Sequence, residues 1–135
     1  MARVLLVDEE TDFRAMIRRA LEEGHVVDEV AAGAEGLARL QQATYDLVVT
    51  ELYLPDMTGL VLLAAARSMS SAPPPMIIVT ALGDWGTYAR ALELGVTAYL
   101  TKPLRIAELS RQVARALSAC RSLRGQGVSS KEGTA

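Results

Sequence analysis

Short continuous apolar runs alternate along this chain with longer stretches whose apolar residues recur every three or four positions. Residues 3–7 (Arg-Val-Leu-Leu-Val) form the first run, which ends at the acids Asp8, Glu9 and Glu10; Phe13, Ile17, Ala20 and Leu21 then follow at helical spacing. Gly24 stops that helix, and residues 26–30 mix β-branched and charged side chains as an edge strand does. Gly33 opens a second helix carrying Leu37 and Leu40. Residues 46–50 read as a third strand, apolar enough to lie buried on both faces of a parallel sheet, and the run stops at Glu51.

After Leu54-Pro55-Asp56-Met57-Thr58-Gly59, a loop rich in turn residues, the spacing predicts a helix over 60–69, broken by residues 70–75. A fourth strand (76–80), a fourth helix (85–94, with Gly95 as its stop) and a fifth strand (98–100) complete the alternation before a last helix from about Ile106 to Leu123. Leu109, Val113, Ala116 and Leu117 share one face of that helix, and Arg111, Arg115 and Arg121 read as a solvated face. From Arg124 the sequence turns polar and glycine-rich, so the expectation is one domain over 1–123 and a flexible tail over 124–135.

Five strands alternating with five helices through short connections specify an α/β sandwich on a parallel sheet with right-handed crossovers. Ligands of such folds sit at the carboxyl ends of the strands. This chain places Asp8, Glu9 and Glu10 after the first strand, Glu51 after the third, Thr80 at the fourth and Thr101-Lys102-Pro103 after the fifth. Carboxylates gathered at one edge repel each other unless a cation lies between them. Mg2+ suits hard oxygen ligands, Lys102 is the fixed cation the strand ends offer, and a hydroxyl and a lysine beside such a metal would suit phosphoryl oxygens. An acid–lysine network that merely closes the end of the sheet fits the same residues, and spacing alone leaves both readings open.

Composition narrows the choice. The 135 residues carry 14 Lys and Arg against 16 Asp and Glu, a net charge of -2, so nothing asks for direct nucleic-acid binding. With one cysteine (Cys120) and one histidine (His25), neither an intrachain disulfide nor a His/Cys metal cluster can form. Only 4% of residues are aromatic, which disfavours base-stacking or carbohydrate platforms. No stretch reaches the length of a membrane span, and a soluble cytoplasmic protein is expected.

Quoted in register, Leu6-Val7-Asp8-Glu9-Glu10, Val79-Thr80-Ala81 and Tyr99-Leu100-Thr101-Lys102-Pro103 resemble the receiver domain of bacterial two-component response regulators, over residues 2 to about 121. The resemblance implies a flavodoxin-like sheet of order 2-1-3-4-5, an acidic pair at Asp8 and Glu9, a switch pair at Thr80 and Tyr99, and the family's Lys-Pro at Lys102 and Pro103, joined by a cis peptide bond. One position departs. The family's loop begins with an Asp that accepts a phosphoryl group from a kinase histidine, and here that place in the loop leading to Pro55 and Gly59 is taken by Glu51.

The extra methylene moves the carboxylate by roughly 1.5 Å. A nucleophile misplaced by about 1 Å loses on the order of a hundredfold in rate, so phosphotransfer to Glu51 is expected to be poor. With Glu9 and Glu51 both longer than Asp, the implied Mg2+ ligands Asp8, Glu9 and Glu51 should bind the ion weakly or not at all. The expectation is an atypical single-domain receiver, not an enzyme, which serves phosphorelay signalling through protein contacts without phosphorylation of an aspartate. Its partner would be a kinase, an output protein or a second copy, met through the fourth helix, fifth strand and fifth helix, where Trp85 and Tyr88 offer an aromatic spot. Two alternatives stand beside it: a Mg2+-dependent phosphoacceptor domain using Glu51 or Asp56, or the receiver part of a longer transcription regulator. Asp56 otherwise reads as a turn residue and His25 as structural.

Overall fold

The apolar runs 4–7, 47–50 and 76–80 become strands buried on both faces, while the runs at the sheet edges are only partly covered. In the computed structural model, which describes the backbone of residues 1–133 and the side chains of residues 1–119, the chain alternates strand and helix throughout. The elements are β1 (Ala2–Val7), α1 (Thr11–Leu21), β2 (His25–Val30), α2 (Gly33–Gln42), β3 (Leu47–Glu51), α3 (Gly59–Met69), β4 (Met76–Thr80), α4 (Trp85–Glu93), β5 (Ala98–Thr101) and α5 (Ile106–Gly133). All strand pairs are parallel and the sheet order is β2-β1-β3-β4-β5, as expected for the flavodoxin-like fold. The assigned end of α5 lies past Leu123; the segment 124–135, expected as a flexible tail, falls outside the residues whose side chains are described.

Alternation along β1 sorts its side chains into two cores. Val4 and Leu6 join Phe13, Ile17 and Leu21 of α1 and Leu109, Val113, Ala116 and Leu117 of α5 on one face. Leu5 and Val7 join Val48, Leu62, Leu63 and Ala66 on the other, where α3 packs and Leu37 and Leu40 of α2 close the layer. Ile17 is fully buried, and cutting such a side chain to Ala costs about 2–5 kcal/mol. α4 ends as the sequence suggests, with Gly95 at φ 86°, a backbone conformation that favours glycine.

The register decides what meets at the carboxyl edge. Val7 lies beside Thr50, Glu51 beside Val79, and Thr80 beside Thr101, so Asp8, Glu51, Thr80 and Lys102 emerge from four adjacent strands. Among the described residues no helix is long and apolar enough to cross a membrane.

Candidate functional site at the carboxyl edge of the sheet

Lys102 occupies the centre of this edge. Its Nζ donates to Asp8 Oδ2 at 3.0 Å, pairs with Glu51 Oε1 at 3.1 Å and lies 3.9 Å from Glu10 Oε1. Burial alone would lower the lysine pKa, but hydrogen bonding to Asp8 and then to Glu51 outweighs it and holds the pKa above the ordinary lysine value. The peptide bond between Lys102 and Pro103 is cis, as the resemblance implied.

Glu51 reaches Lys102 with one oxygen and turns the other back on its own chain. Oε2 accepts from the amide of Leu52 at 2.6 Å and from that of Tyr53 at 3.3 Å. This return leaves both carboxylate oxygens engaged. The loop behind it is tight: Gly59 N donates to Leu52 O at 2.6 Å, and a Cβ on Gly59 would stand 2.8 Å from the Glu51 carbonyl oxygen. That close approach accounts for the glycine of the loop.

Asp8 is buried and has both oxygens bonded, Oδ1 accepting from Glu10 N at 2.8 Å and Oδ2 from Lys102. Glu9 is exposed and makes no hydrogen bond or ion pair among the described residues. Thr80 is buried, and its hydroxyl accepts from Leu82 N at 3.2 Å. Tyr99 lies against the β4–α4 loop. Its hydroxyl is 3.4 Å from Thr87 Oγ1, and its ring meets Tyr88 edge-on at 5.2 Å between centroids. Tyr88 in turn leans on Trp85, which is 78% exposed, so the expected aromatic spot is the outer end of a three-ring row reaching in to Tyr99.

Three contacts had no signal in the residue pattern. Phe13, which reads as a core position of α1, also turns its ring face to Lys102, with Nζ 3.9 Å from the ring centroid. Arg14 donates to the Asp8 carbonyl oxygen at 2.5 Å and to Glu29 Oε1 at 3.0 Å, bracing the site from edge strand β2. Asp56 does more than shape a turn. Its two oxygens accept from Gly33 N (2.8 Å) and Ala34 N (2.9 Å), capping α2, whose own N-cap residue Ala32 supplies no side-chain bond. These amide bonds hold its carboxyl below the ordinary value. His25 accepts the amide of Ala2 at 3.3 Å, a structural tie.

The donor set does not fit Mg2+ as it is arranged. Asp8 and Glu51 spend their oxygens on Lys102 and backbone amides, Glu9 stands apart, and among the described residues no group of three His, Cys, Asp or Glu side chains is gathered to hold a metal ion. The lysine ammonium occupies the position between the two carboxylates that a cation would take.

A doubly wound parallel sheet with an acid–lysine cluster at its carboxyl edge defines an α/β domain of the flavodoxin-like class. Residues 4–114 match the family model of the response regulator receiver domain, and the chain belongs to that family. It is 36% identical over 112 residues to the two-component response regulator PhoP of Pseudomonas aeruginosa, covering 82% of this chain and 49% of that protein. With the transcriptional regulatory protein TcrA of Mycobacterium tuberculosis the identity is 38% over 117 residues, covering 86% and 46%. The chain thus spans about half the length of the curated relatives it matches. Among solved structures it resembles a CheY-like receiver domain protein of Methanospirillum hungatei, with a TM-score of 0.86 at 28% identity over 90% of this chain and 98% of that one. The chemotaxis response regulator CheY4 of Vibrio cholerae gives 0.79 at 30% identity, over 87% and 99%. Receiver domains are signalling modules, generally non-enzymatic, which interact with kinases and output domains and typically bind Mg2+ at the acceptor site.

Proposed function

We propose that this is an atypical receiver in which Glu51 holds the phosphoacceptor position and signalling proceeds through protein contacts without phosphorylation of an aspartate. The observation that carries this reading is the Glu51 carboxylate, with Oε1 on Lys102 and Oε2 on the amides of Leu52 and Tyr53. Held by Lys102 on one oxygen and by two backbone amides on the other, the carboxylate is restrained in the direction from which it could attack a phosphoryl donor. A Glu carboxylate supplies one charge and two oxygens against nearly two charges and three oxygens for a phosphoryl group, so its mimicry of the phosphorylated state is partial. The Thr80 hydroxyl, bonded to Leu82 N, and Tyr99, tucked against the β4–α4 loop, are the switch pair in this reading.

The partner is a protein, either a kinase, an output protein or a second copy, and it meets the α4–β5–α5 face, where Trp85 and Leu92 are exposed. The domain works in the cytoplasm, either free-standing or as the receiver part of a longer regulator. Magnesium binding is weak, because an incoming ion must displace Lys102 from between Asp8 and Glu51.

Incubation with acetyl phosphate or phosphoramidate and Mg2+, followed by intact-mass measurement, tests the reading. The native protein should gain no phosphoryl group, and Glu51→Asp should gain one. A stoichiometric gain in the native protein that disappears in Glu51→Gln or in Asp56→Asn would replace the reading with a working phosphoacceptor and locate the acceptor.

A further inference from the structure

An ammonium group has three N–H bonds to direct. For Lys102, oxygens account for two directions, Asp8 Oδ2 at 3.0 Å and Glu51 Oε1 at 3.1 Å. The remaining acid nearby is Glu10, whose Oε1 at 3.9 Å is beyond hydrogen-bond reach and whose side chain is 65% exposed. Beside these oxygens stands the ring face of Phe13, 3.9 Å from Nζ to the centroid. Phe13 is buried among Ile17, Leu21, Val4 and Leu6, so the ring cannot turn away without leaving the core.

We propose that Phe13 is the positioning residue of Lys102, its ring face fixing the ammonium between Asp8 and Glu51. The inference rests on the reading of that cluster as the working site, and it adds what keeps the lysine there when no phosphoryl group draws it in. A ring face attracts a cation through its quadrupole, and the attraction grows as water is excluded. Here the lysine side chain is 16% exposed, so the ring takes the place of solvent on one side while two carboxylates hold the other. An aliphatic side chain at position 13 would fill the same core volume without that field. The groups facing Lys102 are therefore Asp8 and Glu10 from the β1–α1 connection, Glu51 from β3 and the uncharged Phe13 from α1.

The composition offers an unusually direct test, because Phe13 is the one phenylalanine of the chain, and Lys102 and Lys131 are its two lysines. Biosynthetic replacement of phenylalanine by its mono-, di- and trifluoro analogues weakens the ring quadrupole stepwise, at this position alone, with little change of shape. The first readout is the NMR shift of the Lys102 ε-methylene protons in the unsubstituted protein, which the ring current should move upfield of the ordinary lysine position. The second is the rate of reductive methylation of Lys102 relative to Lys131 at one fixed pH, expected to rise stepwise, by on the order of tenfold across the series, as the ammonium is released. An ordinary ε-methylene shift, or a methylation ratio that stays flat while the melting temperature is unchanged, overturns the proposal. Neither result depends on whether Glu51 can be phosphorylated, so the mass measurement and this series fail separately.

Discussion

The hydroxyl of Tyr99 fills the space in which a side chain on Gly83 would begin: a Cβ built there stands 1.9 Å from the oxygen. Tyr99 is half-buried, so it can yield by rotating outward more cheaply than the backbone can move. Gly83→Ala should therefore turn Tyr99 towards solvent, at a cost of about 0.5–1.5 kcal/mol for the lost edge contact with Tyr88. A shifted Tyr99 ring spectrum with an intact fold would bear this out, and an unmoved ring would mean that the loop gives way instead.

Removing the Glu51 carboxylate strands several groups at once. In Glu51→Ala, Lys102 keeps only Asp8 as an oxygen partner within hydrogen-bond reach, and the amides of Leu52 and Tyr53 lose their acceptor, with Leu52 fully buried. A buried donor left unpaired costs about 1–3 kcal/mol, and urea unfolding should show a loss in that range. Faster hydrogen exchange at the Leu52 amide is the local signature.

Asp56→Ala should loosen α2 without touching the Lys102 cluster. The amides of Gly33 and Ala34 lose their caps, so exchange should quicken in the first turn of α2 and the melting temperature should fall. The Lys102 ε-methylene shift should stay where it is in the native protein. A change in both would mean that the loop couples Asp56 to Glu51.

Acid should destabilise the fold through β2. The Tyr45 hydroxyl, against an opposing effect of burial and with help from Arg3, holds the Asp28 carboxyl below its ordinary 3.8. A hydrogen bond from Arg18, again opposed by burial and aided by Arg14, holds Glu29 below 4.5. A carboxyl whose folded pKa is depressed stabilises the fold at every pH above its unfolded value, and that contribution is lost as pH falls through the folded one. Melting temperature should thus decline once pH drops below about 4.5, and Asp28→Asn or Glu29→Gln should be less stable near neutrality but flatter over that acid range.

The order of elements, the two-faced burial of β3 and the gathering of Asp8, Glu51, Thr80 and Lys102 at one edge were legible in the sequence. Each follows from local period or from the rule that parallel strands end on the same side. What could not be read there was direction. Asp8 and Glu9 are neighbours in the chain, yet one is buried on Lys102 and the other exposed, because successive side chains leave a strand end on opposite sides. Asp56 caps a helix 22 and 23 residues earlier in the chain, and Phe13 serves the core and Lys102 at once. No periodicity encodes a partner that distant.

Arg14 gives the outer rim of the sheet a hold on its centre. One guanidinium joins Glu29 on edge strand β2 to the carbonyl of Asp8, so a substitution at the rim reaches the acid that holds Lys102 through a single side chain. Removing the Glu29 carboxylate therefore frees Arg14 from the rim and alters the support of the Asp8 backbone, with every residue of the cluster itself unchanged.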